Sequence, residues 1–247
     1  MSPAPLRTFL LDGQPIPFLE GQTVLAAALA AGVYIPHLCH DPDCTPASAC
    51  RTCTVLVDGW PAAACAQPAG PGQVVESDTE ALRDLRRGLV QLLLAEGNHV
   101  CPACGKGGDC KLQALAALLG LQEHPFPRGL RRRDLDASHP ELLLDRDRCI
   151  LCGLCVRLGR EVDGTGVFAM TGRGLEMTVA VDGPTGRLGD SRATADDAAV
   201  RRCPVGALLV RGEAFRRPPG ERTYDRQTLA EAALAEARAR AGGHHGP

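Results

Sequence analysis

The sequence predicts an α+β fold made of three small units, and two observations indicate it. The twelve cysteines of this 247-residue chain fall into three separate groups. Strand and turn patterns surround the first group, helical periodicity surrounds the second, and both kinds of pattern surround the third. We expect units at 1–76, 77–121 and 122–215, followed by a tail with a short helix over 216–247.

The first unit is predicted to begin with a β-hairpin. Residues 7–11 alternate weakly between apolar and other side chains, and Asp12-Gly13 supplies a two-residue turn. Ile16 and Phe18 lie on one face of the returning strand. Two prolines in that strand place it at a sheet edge, because proline cannot donate a hydrogen bond to a neighbouring strand.

One helix and a second hairpin complete this unit. Thr23 can cap a helix that ends at Gly32, and Asp58-Gly59 turns a hairpin whose returning strand covers 60–65. Strands wrapped around one helix predict a β-grasp domain. A loop between the helix and the hairpin carries four cysteines: Cys39, Cys44, Cys50 and Cys53.

The second unit is predicted to be helical. Asp78 or Thr79 can cap a long amphipathic helix that ends near Gly97, and a shorter apolar helix over 111–121 ends at Gly120. We expect the helically spaced leucines of the long helix to be core residues: Leu82, Leu85, Leu89 and Leu93.

The third unit mixes strands with helices. Alternation over 175–181 and the turn Asp182-Gly183 predict a hairpin between the third group of cysteines and a more distant one. The stretch 122–140 contains the run Arg131, Arg132 and Arg133, for which we expect a linker or solvated surface rather than a specific anion site. In the tail, Thr228 and Glu231 form a capping-box pattern for an alanine-rich helix that either docks on a partner or is solvated.

Composition excludes some classes of function. A net charge of −2 and 3% aromatic residues indicate neither the positive charge nor the aromatic stacking surfaces that nucleic-acid binding needs. No signal-peptide core or membrane-length apolar run is evident, so we expect a soluble, cytoplasmic protein without a membrane span. In a reducing compartment, clustered cysteines bind metal or do redox chemistry more often than they form disulfides.

The first cysteine set can enclose a 2Fe-2S cluster. Its gaps are ten, two and eleven residues, whereas plant-type ferredoxins have four residues in the first gap. Using Cys44 would restore that gap but break the next one, so we expect Cys44 to bind nothing. A Rieske centre would need CxH and CxxH pairs, which His40 beside Cys39 does not provide. The predicted ligands are Cys39, Cys50, Cys53 and Cys65.

The second set combines one histidine and three cysteines within twelve residues: His99, Cys101, Cys104 and Cys110. Gly105, Gly107 and Gly108 permit tight bends whose amides can point at cluster sulfurs. A 4Fe-4S cluster is the expectation for this set. A Cys3His zinc site takes the same ligands and is the alternative.

The third set predicts a ferredoxin-like 4Fe-4S domain. A CxxCxxC run is joined by a distant cysteine before proline, as in cubane clusters: Cys149, Cys152, Cys155 and Cys203. Gly159 stands where a two-cluster ferredoxin has a further cysteine, so we expect one cluster here. The three sets use every cysteine except Cys44. The chain has no Walker loop, GxGxxG motif or second paired CxxC set, so flavin, nicotinamide and hydrogen chemistry should lie on other subunits.

Five segments in this order carry a resemblance to a known family: GVYIPHLC, AAACAQP, LAEGNHVCPACGKGGDCKLQ, DRDRCILCGLC and RCPVGALL. They resemble the N-terminal region of the large iron-sulfur subunit of complex I. They resemble still more the small diaphorase (iron-sulfur, gamma) subunit of cytoplasmic NAD-reducing nickel-iron hydrogenases. The complex I subunit usually has three residues between its histidine and next cysteine and continues into a large further domain, whereas only Val100 intervenes here and the sequence stops.

The resemblance implies an electron-transfer subunit with one 2Fe-2S and two 4Fe-4S clusters and no catalytic residue or substrate site of its own. It implies partners as well, namely a flavin- and NAD-binding diaphorase subunit that holds FMN and NAD, and the small and large hydrogenase subunits. The alternative function is that of an equivalent subunit in a formate dehydrogenase or a complex I-like NADH dehydrogenase. A zinc-binding interaction scaffold is a third hypothesis.

Overall fold

The N-terminal part of the chain is a five-stranded mixed sheet packed on one helix. The computed structural model describes residues 7–122, 125–127 and 133–242. The strands run in the order β2-β1-β5-β3-β4, and β1 and β5 are parallel whereas the other neighbours are antiparallel. Their bounds are β1 Arg7–Leu11, β2 Gln14–Phe18, β3 Thr54–Val57, β4 Trp60–Ala63 and β5 Val74–Glu76.

Both predicted hairpins are confirmed. Asp12 and Gly13 have φ values of 48° and 81°, and Asp58 and Gly59 have 51° and 84°, the left-handed backbone that two-residue hairpin turns need. The proline-containing strand β2 is indeed at a sheet edge. The return of the second hairpin ends at Ala63, two residues earlier than predicted.

The helix of this unit, α1 (Val24–Ala30), begins and ends as predicted. Thr23 Oγ1 accepts a hydrogen bond from the Ala26 amide, and Gly32 follows the helix with a φ of 81°. The helix and the inner face of the sheet share a core that includes Phe9, Ile16, Phe18, Val24 and Leu25. The predicted β-grasp architecture is confirmed, although the short central strand β5 was not predicted.

Two helices form the middle of the chain, α2 (Glu80–Glu96) and α3 (Lys111–Leu118). Thr79 caps α2 through its hydroxyl, and Gly97 ends the helix. The predicted core stripe of α2 is confirmed at Leu82, which is buried, and at Leu93, which packs against the core, but it is wrong at Leu85, which is 42% exposed. The fully buried positions of the helix are Leu82, Arg86, Val90 and Ala95.

The third unit contains a three-stranded sheet in the order β10-β7-β6 and a separate hairpin of β8 and β9. The bounds are β6 Leu135–Asp136, β7 Leu142–Asp145, α4 Leu154–Glu161, β8 Phe168–Thr171, β9 Thr178–Val181, α5 Ala198–Arg201 and β10 Leu208–Val210. The predicted hairpin between Cys155 and Cys203 exists. Its connection is 172–177, however, and Asp182-Gly183 follows the second strand instead of joining the two strands.

Of the three arginines in the run 131–133, the structure describes only Arg133. Arg131 and Arg132 lie outside the described residues. The side chain of Arg133 is only 8% exposed and forms an ion pair with Glu96 at 2.7 Å. A solvated face was therefore the wrong expectation for Arg133.

The tail folds back onto the same chain. After α6 (Thr223–Arg226), α7 (Leu229–Gly242) begins at the predicted capping box, in which Thr228 N donates to Glu231 Oε2 at 2.7 Å and Glu231 N donates to Thr228 Oγ1 at 3.2 Å. The helix packs against α1 and α3. The helix is therefore not simply solvated, and docking of its exposed side on a partner stays a prediction.

The hydrophobic core of the chain has two parts. The first lies inside the N-terminal sheet. The second joins α2 and α3 to the third unit and extends to Leu38 and Leu229, which come from the first cysteine loop and from α7. None of the helices in the described ranges is long and apolar enough to cross a bilayer.

Candidate metal centres

The loop between α1 and β3 brings the four cysteines of the first set together. Cys39 lies beside Cys50, and Cys53 beside Cys65. The interaction within each pair raises the pKa of Cys39 and of Cys53, which burial raises further, and it lowers the pKa of Cys50 and of Cys65. Metal ligation needs thiolates, and these contacts favour one thiolate in each pair.

Backbone and hydroxyl groups surround the sulfurs of this set. The Cys50 amide donates to Cys39 Sγ at 3.4 Å, Thr52 Oγ1 lies 3.2 Å from Cys50 Sγ, and Ser48 Oγ lies 3.7 Å from Cys65 Sγ. Hydrogen bonds to sulfur are one of the levers that set the potential of an iron-sulfur cluster. Neither Ser48 nor Thr52 was predicted to contact the sulfurs, although both are small hydroxyl residues inside the cysteine loop.

The second set converges on one small cavity between α2, α3 and the third unit. His99 and the three cysteines of the set line this cavity together with Arg148 and Gly206. Burial raises the pKa of Cys110 to about 12 and also raises that of Cys101. These thiols would therefore stay protonated in the empty fold at neutral pH, and a metal would have to displace the protons.

Glycines allow the backbone to approach this cavity closely. A Cβ at Gly206 would lie 2.6 Å from Cys104 Sγ, and one at Gly107 would lie 3.0 and 3.1 Å from the carbonyl oxygens of Cys101 and Cys104. Side chains at these positions would crowd the sulfur-bearing loop.

The expected direction of two glycine amides was wrong. Gly107 N donates to the Cys104 carbonyl at 2.9 Å, and Gly108 N donates to Gln113 Oε1 at 2.9 Å. Both amides therefore bind oxygen and not sulfur.

The third set lies around the start of α4. Cys149 and Cys152 precede the helix, Cys155 lies in its first turn, and Cys203 comes from the loop after α5. Burial raises the pKa of Cys149 to about 11 and raises those of Cys152 and Cys155, and the neighbouring Cys203 adds to all three shifts. The Leu151 amide donates to Cys149 Sγ at 3.4 Å. The structure thus places the distant cysteine beside the CxxCxxC run.

Cys44 lies apart from these sets in its contacts. Its buried sulfur is 3.2 Å from Arg157 Nη1, and burial raises the pKa of its thiol. That Cys44 binds no metal stays a prediction.

The donor chemistry of the three sets fits iron-sulfur clusters. All twelve cysteines are free thiols, and each set offers four sulfur or imidazole donors in a largely buried loop. The described stretches contain no group of three or more His, Cys, Asp or Glu side chains arranged to hold a single metal ion. Cluster ligands are spread over several iron atoms, so they do not have to converge on one point.

Comparison with known proteins agrees with this chemistry along the chain. Residues 7–80 match the 2Fe-2S iron-sulfur cluster binding domain. Residues 86–125 match the NADH-ubiquinone oxidoreductase-G iron-sulfur binding region, and residues 142–210 match the 4Fe-4S single cluster domain. Fold and site together define an iron-sulfur protein of the oxidoreductase class.

The particular family follows from whole-chain similarity. The chain is 36% identical to the gamma subunit of the NAD-reducing hydrogenase HoxS of Cupriavidus necator over 91% of its own length and 95% of that protein. It is 47% identical, with a TM-score of 0.90, to a chain in the crystal structure of NAD+-reducing [NiFe]-hydrogenase in the H2-reduced state, covering 94% of this chain and 98% of that one. The protein belongs to the family of gamma subunits of NAD-reducing hydrogenases.

Complex I proteins are related to the same region. The chain is 33% identical to the NADH-ubiquinone oxidoreductase 78 kDa subunit of Candida albicans over 85% of its length, but it spans only 29% of that protein. It is 34% identical to the mitochondrial NADH dehydrogenase [ubiquinone] iron-sulfur protein 1 of Solanum tuberosum over 87% of its length and spans 29% of that protein. The predicted resemblance to both groups is confirmed.

Proposed function

We propose that this chain is the electron-transfer subunit of an NAD-reducing hydrogenase, linking a hydrogenase module to a flavin subunit. The observation that carries the proposal is the 47% identity and 0.90 TM-score to a chain of an NAD+-reducing [NiFe]-hydrogenase. Three buried donor sets on the same chain supply the positions at which clusters can accept electrons and pass them on.

The proposed ligand assignment follows the three sets. A 2Fe-2S cluster is held by the first set, and one 4Fe-4S cluster by each of the other two. The ligands are Cys39, Cys50, Cys53 and Cys65; His99, Cys101, Cys104 and Cys110; and Cys149, Cys152, Cys155 and Cys203. Iron in such clusters cycles between two oxidation states, so each cluster carries electrons singly.

The residues of this chain hold, shield and tune the clusters and do no acid–base chemistry. Burial of the sulfurs lowers the local dielectric constant, and amide and hydroxyl groups near them stabilise negative charge. His99 replaces one thiolate by a neutral ligand in the second set, which favours reduction at that place. FMN and NAD belong, in this proposal, to the partner diaphorase subunit, where single electrons are paired as hydride.

The proposed partners are the flavin- and NAD-binding subunit and the small and large hydrogenase subunits, in a cytoplasmic assembly. Twelve free thiols agree with a reducing compartment. A complex I-like NADH dehydrogenase is the second candidate, favoured by the 32–35% identity to its large iron-sulfur subunits and related proteins. The single residue between His99 and Cys101 favours the hydrogenase.

The test uses the intact assembly and one that lacks this chain. The complete assembly should reduce NAD with hydrogen. Without this chain, the hydrogenase module should still reduce an artificial dye with hydrogen and the flavin subunit should still reduce a dye with NADH, while hydrogen-dependent NAD reduction is lost. Survival of the coupled reaction without this chain would contradict the proposal, and a co-purifying quinone-linked module in place of a nickel protein would favour the second candidate.

A further inference from the structure

One arginine joins the first cysteine loop to the third cysteine set. Arg157 extends from α4, two residues beyond Cys155. Its Nη2 donates to the Cys39 carbonyl at 2.7 Å and to the Cys152 carbonyl at 3.3 Å, and its Nη1 donates to the Thr45 carbonyl at 2.7 Å. Cys39 and Cys152 belong to different donor sets, 113 positions apart in the sequence. The same guanidinium therefore contacts the backbone of both.

The hydrogen-bond partners of this guanidinium are neutral groups. Within the described residues, all four of its hydrogen-bond partners are carbonyl oxygens or the sulfur of Cys44 at 3.2 Å, and none is a carboxylate. Glu161 lies close enough for the Arg157 charge to help lower the pKa of its carboxyl, so it offsets part of the cost of burying this cation. Further negative groups near the guanidinium would offset more of that cost. Thiolate-bound iron-sulfur clusters are such groups, and both flanking loops carry their proposed ligands.

Neighbouring contacts hold the same loop to the same unit. Glu161, one helical turn after Arg157, accepts hydrogen bonds from Thr45 N at 2.6 Å and from Thr45 Oγ1 at 2.9 Å. Arg202, next to Cys203, forms ion pairs with Asp41 at 2.9 Å and Asp43 at 2.6 Å. The loop is thus fixed to the third unit on both sides of Arg157, which leaves the guanidinium little freedom to move.

We infer that Arg157 is a positioning residue which fixes the first cysteine set relative to the third and places one positive charge between them. The inference deepens the proposed function and rests on it, because it assigns the residue that sets distance and potential for electron passage between these two sets. The rate of electron tunnelling falls steeply with distance. A residue that holds the backbones of both sets at a fixed separation therefore directly affects the rate of electron transfer between them. The charge stabilises an added electron at either end.

The experiment compares variants in the intact assembly by redox titration followed by electron paramagnetic resonance, together with hydrogen-dependent NAD reduction. Arg157→Met removes the positive charge and the two nitrogen donors of the guanidinium that contact both loops. Arg157→Lys keeps the charge but cannot reproduce the paired contacts. Arg160→Met is the matched control, three residues further along α4 and exposed.

Arg157→Met is expected to keep about ten irons per chain, the sum of one binuclear and two cubane clusters. It should lower the reduction equilibrium constant of the 2Fe-2S cluster and of the third-set cluster by about threefold to tenfold, where tenfold corresponds to about 59 mV. The middle cluster should be unchanged, and kcat should fall while KM for NAD stays constant. Arg157→Lys should keep the potentials near those of the wild type and still lower kcat.

Potentials and kcat in Arg157→Met equal to those of the wild type and Arg160→Met would overturn the inference alone. If Arg157→Met does not assemble, Arg157→Lys decides, since a lowered kcat supports the positioning role and an unchanged kcat contradicts it. A wild-type assembly that lacks hydrogen-dependent NAD reduction would overturn the proposed function, and this inference with it.

Discussion

Arg148 Nη1 donates a hydrogen bond to Cys104 Sγ at 3.2 Å across 44 positions of sequence. Arg148 immediately precedes Cys149, so one residue connects the second donor set to the third. Its side chain is 17% exposed and also forms an ion pair with Asp145 at 3.0 Å. A charged donor on a ligand sulfur stabilises the more negative, reduced state of whatever that sulfur binds.

Arg148→Met should therefore lower the potential of the middle cluster. We expect a shift of about 60 mV, roughly tenfold in the one-electron equilibrium, measured by redox titration of the paramagnetic signals. Arg148→Lys should shift it less. Arg173→Met, at an exposed arginine, is the control. An unchanged middle potential in a variant that keeps its iron would show that this hydrogen bond does not tune the cluster.

His99→Ala should lose or convert the middle cluster without unfolding the N-terminal domain, because His99 lines the cavity of the second set while that domain has its own core. Iron content should fall from about ten towards about six per chain, and the signals of the 2Fe-2S cluster should persist. Val100→Ala, at the exposed residue on the other side of His99, which is not among those that line the cavity, should keep all the iron. Full iron content and unaltered paramagnetic signals in His99→Ala would exclude a ligand role.

Gly206→Ala should also damage the middle cluster. The added Cβ would lie 2.6 Å from Cys104 Sγ and 3.4 Å from Lys106 Cβ, so the sulfur-bearing loop must shift. We expect reduced iron occupancy of the second set on chemical reconstitution. Gly88→Ala is the matched control in α2, where a Cβ meets nothing within 4 Å and should stabilise the helix by about 0.5–1 kcal/mol. Equal iron uptake by both variants would contradict the close approach.

Arg86→Met should destabilise the N-terminal domain. Arg86 is 2% exposed and donates to the carbonyls of Thr52, Ser77 and Thr54 at 3.0, 2.7 and 2.8 Å. Removing the guanidinium leaves three buried acceptors unsatisfied, for which we expect a loss of about 3 kcal/mol in the free energy of unfolding. Denaturant titration followed by visible absorption of the 2Fe-2S cluster measures this loss.

Arg83→Met provides the comparison for Arg86. Arg83 lies on the exposed side of the same helix and pairs with Asp78 at 2.8 Å, a surface ion pair worth at most about 1 kcal/mol. Similar stability losses for the two variants would contradict the special role of the buried guanidinium.

Local patterns explain which parts of the fold could be predicted. Hairpin turns at Asp12-Gly13 and Asp58-Gly59, and the caps at Thr23, Thr79 and Thr228, depend on neighbouring residues and were found from the sequence. Strand β5 was missed because three residues after a proline- and glycine-rich stretch carry little periodic signal. In α2 the leucine spacing predicted the burial of Leu82 correctly but not the exposure of Leu85, because the buried residue at that point of the helix is Arg86.

The candidate metal centres, too, could be predicted only in part from the sequence. Cysteine spacing indicated all three donor sets, because ligands of one cluster recur at short intervals in a loop. Two arginines reach those sets from far along the chain, because Arg148 contacts Cys104 across 44 positions and Arg157 contacts Cys39 across 118. Only the tertiary fold brings such partners together, so no spacing rule could have found them.

Metal analysis of the anaerobically purified native assembly tests the central claim most directly. Three occupied sets predict a brown protein with about ten irons per copy of this chain, once the iron of the other subunits is subtracted, and no stoichiometric zinc. A colourless chain, or one whose cysteine sets hold zinc in place of iron, would contradict the account of an electron-carrying subunit.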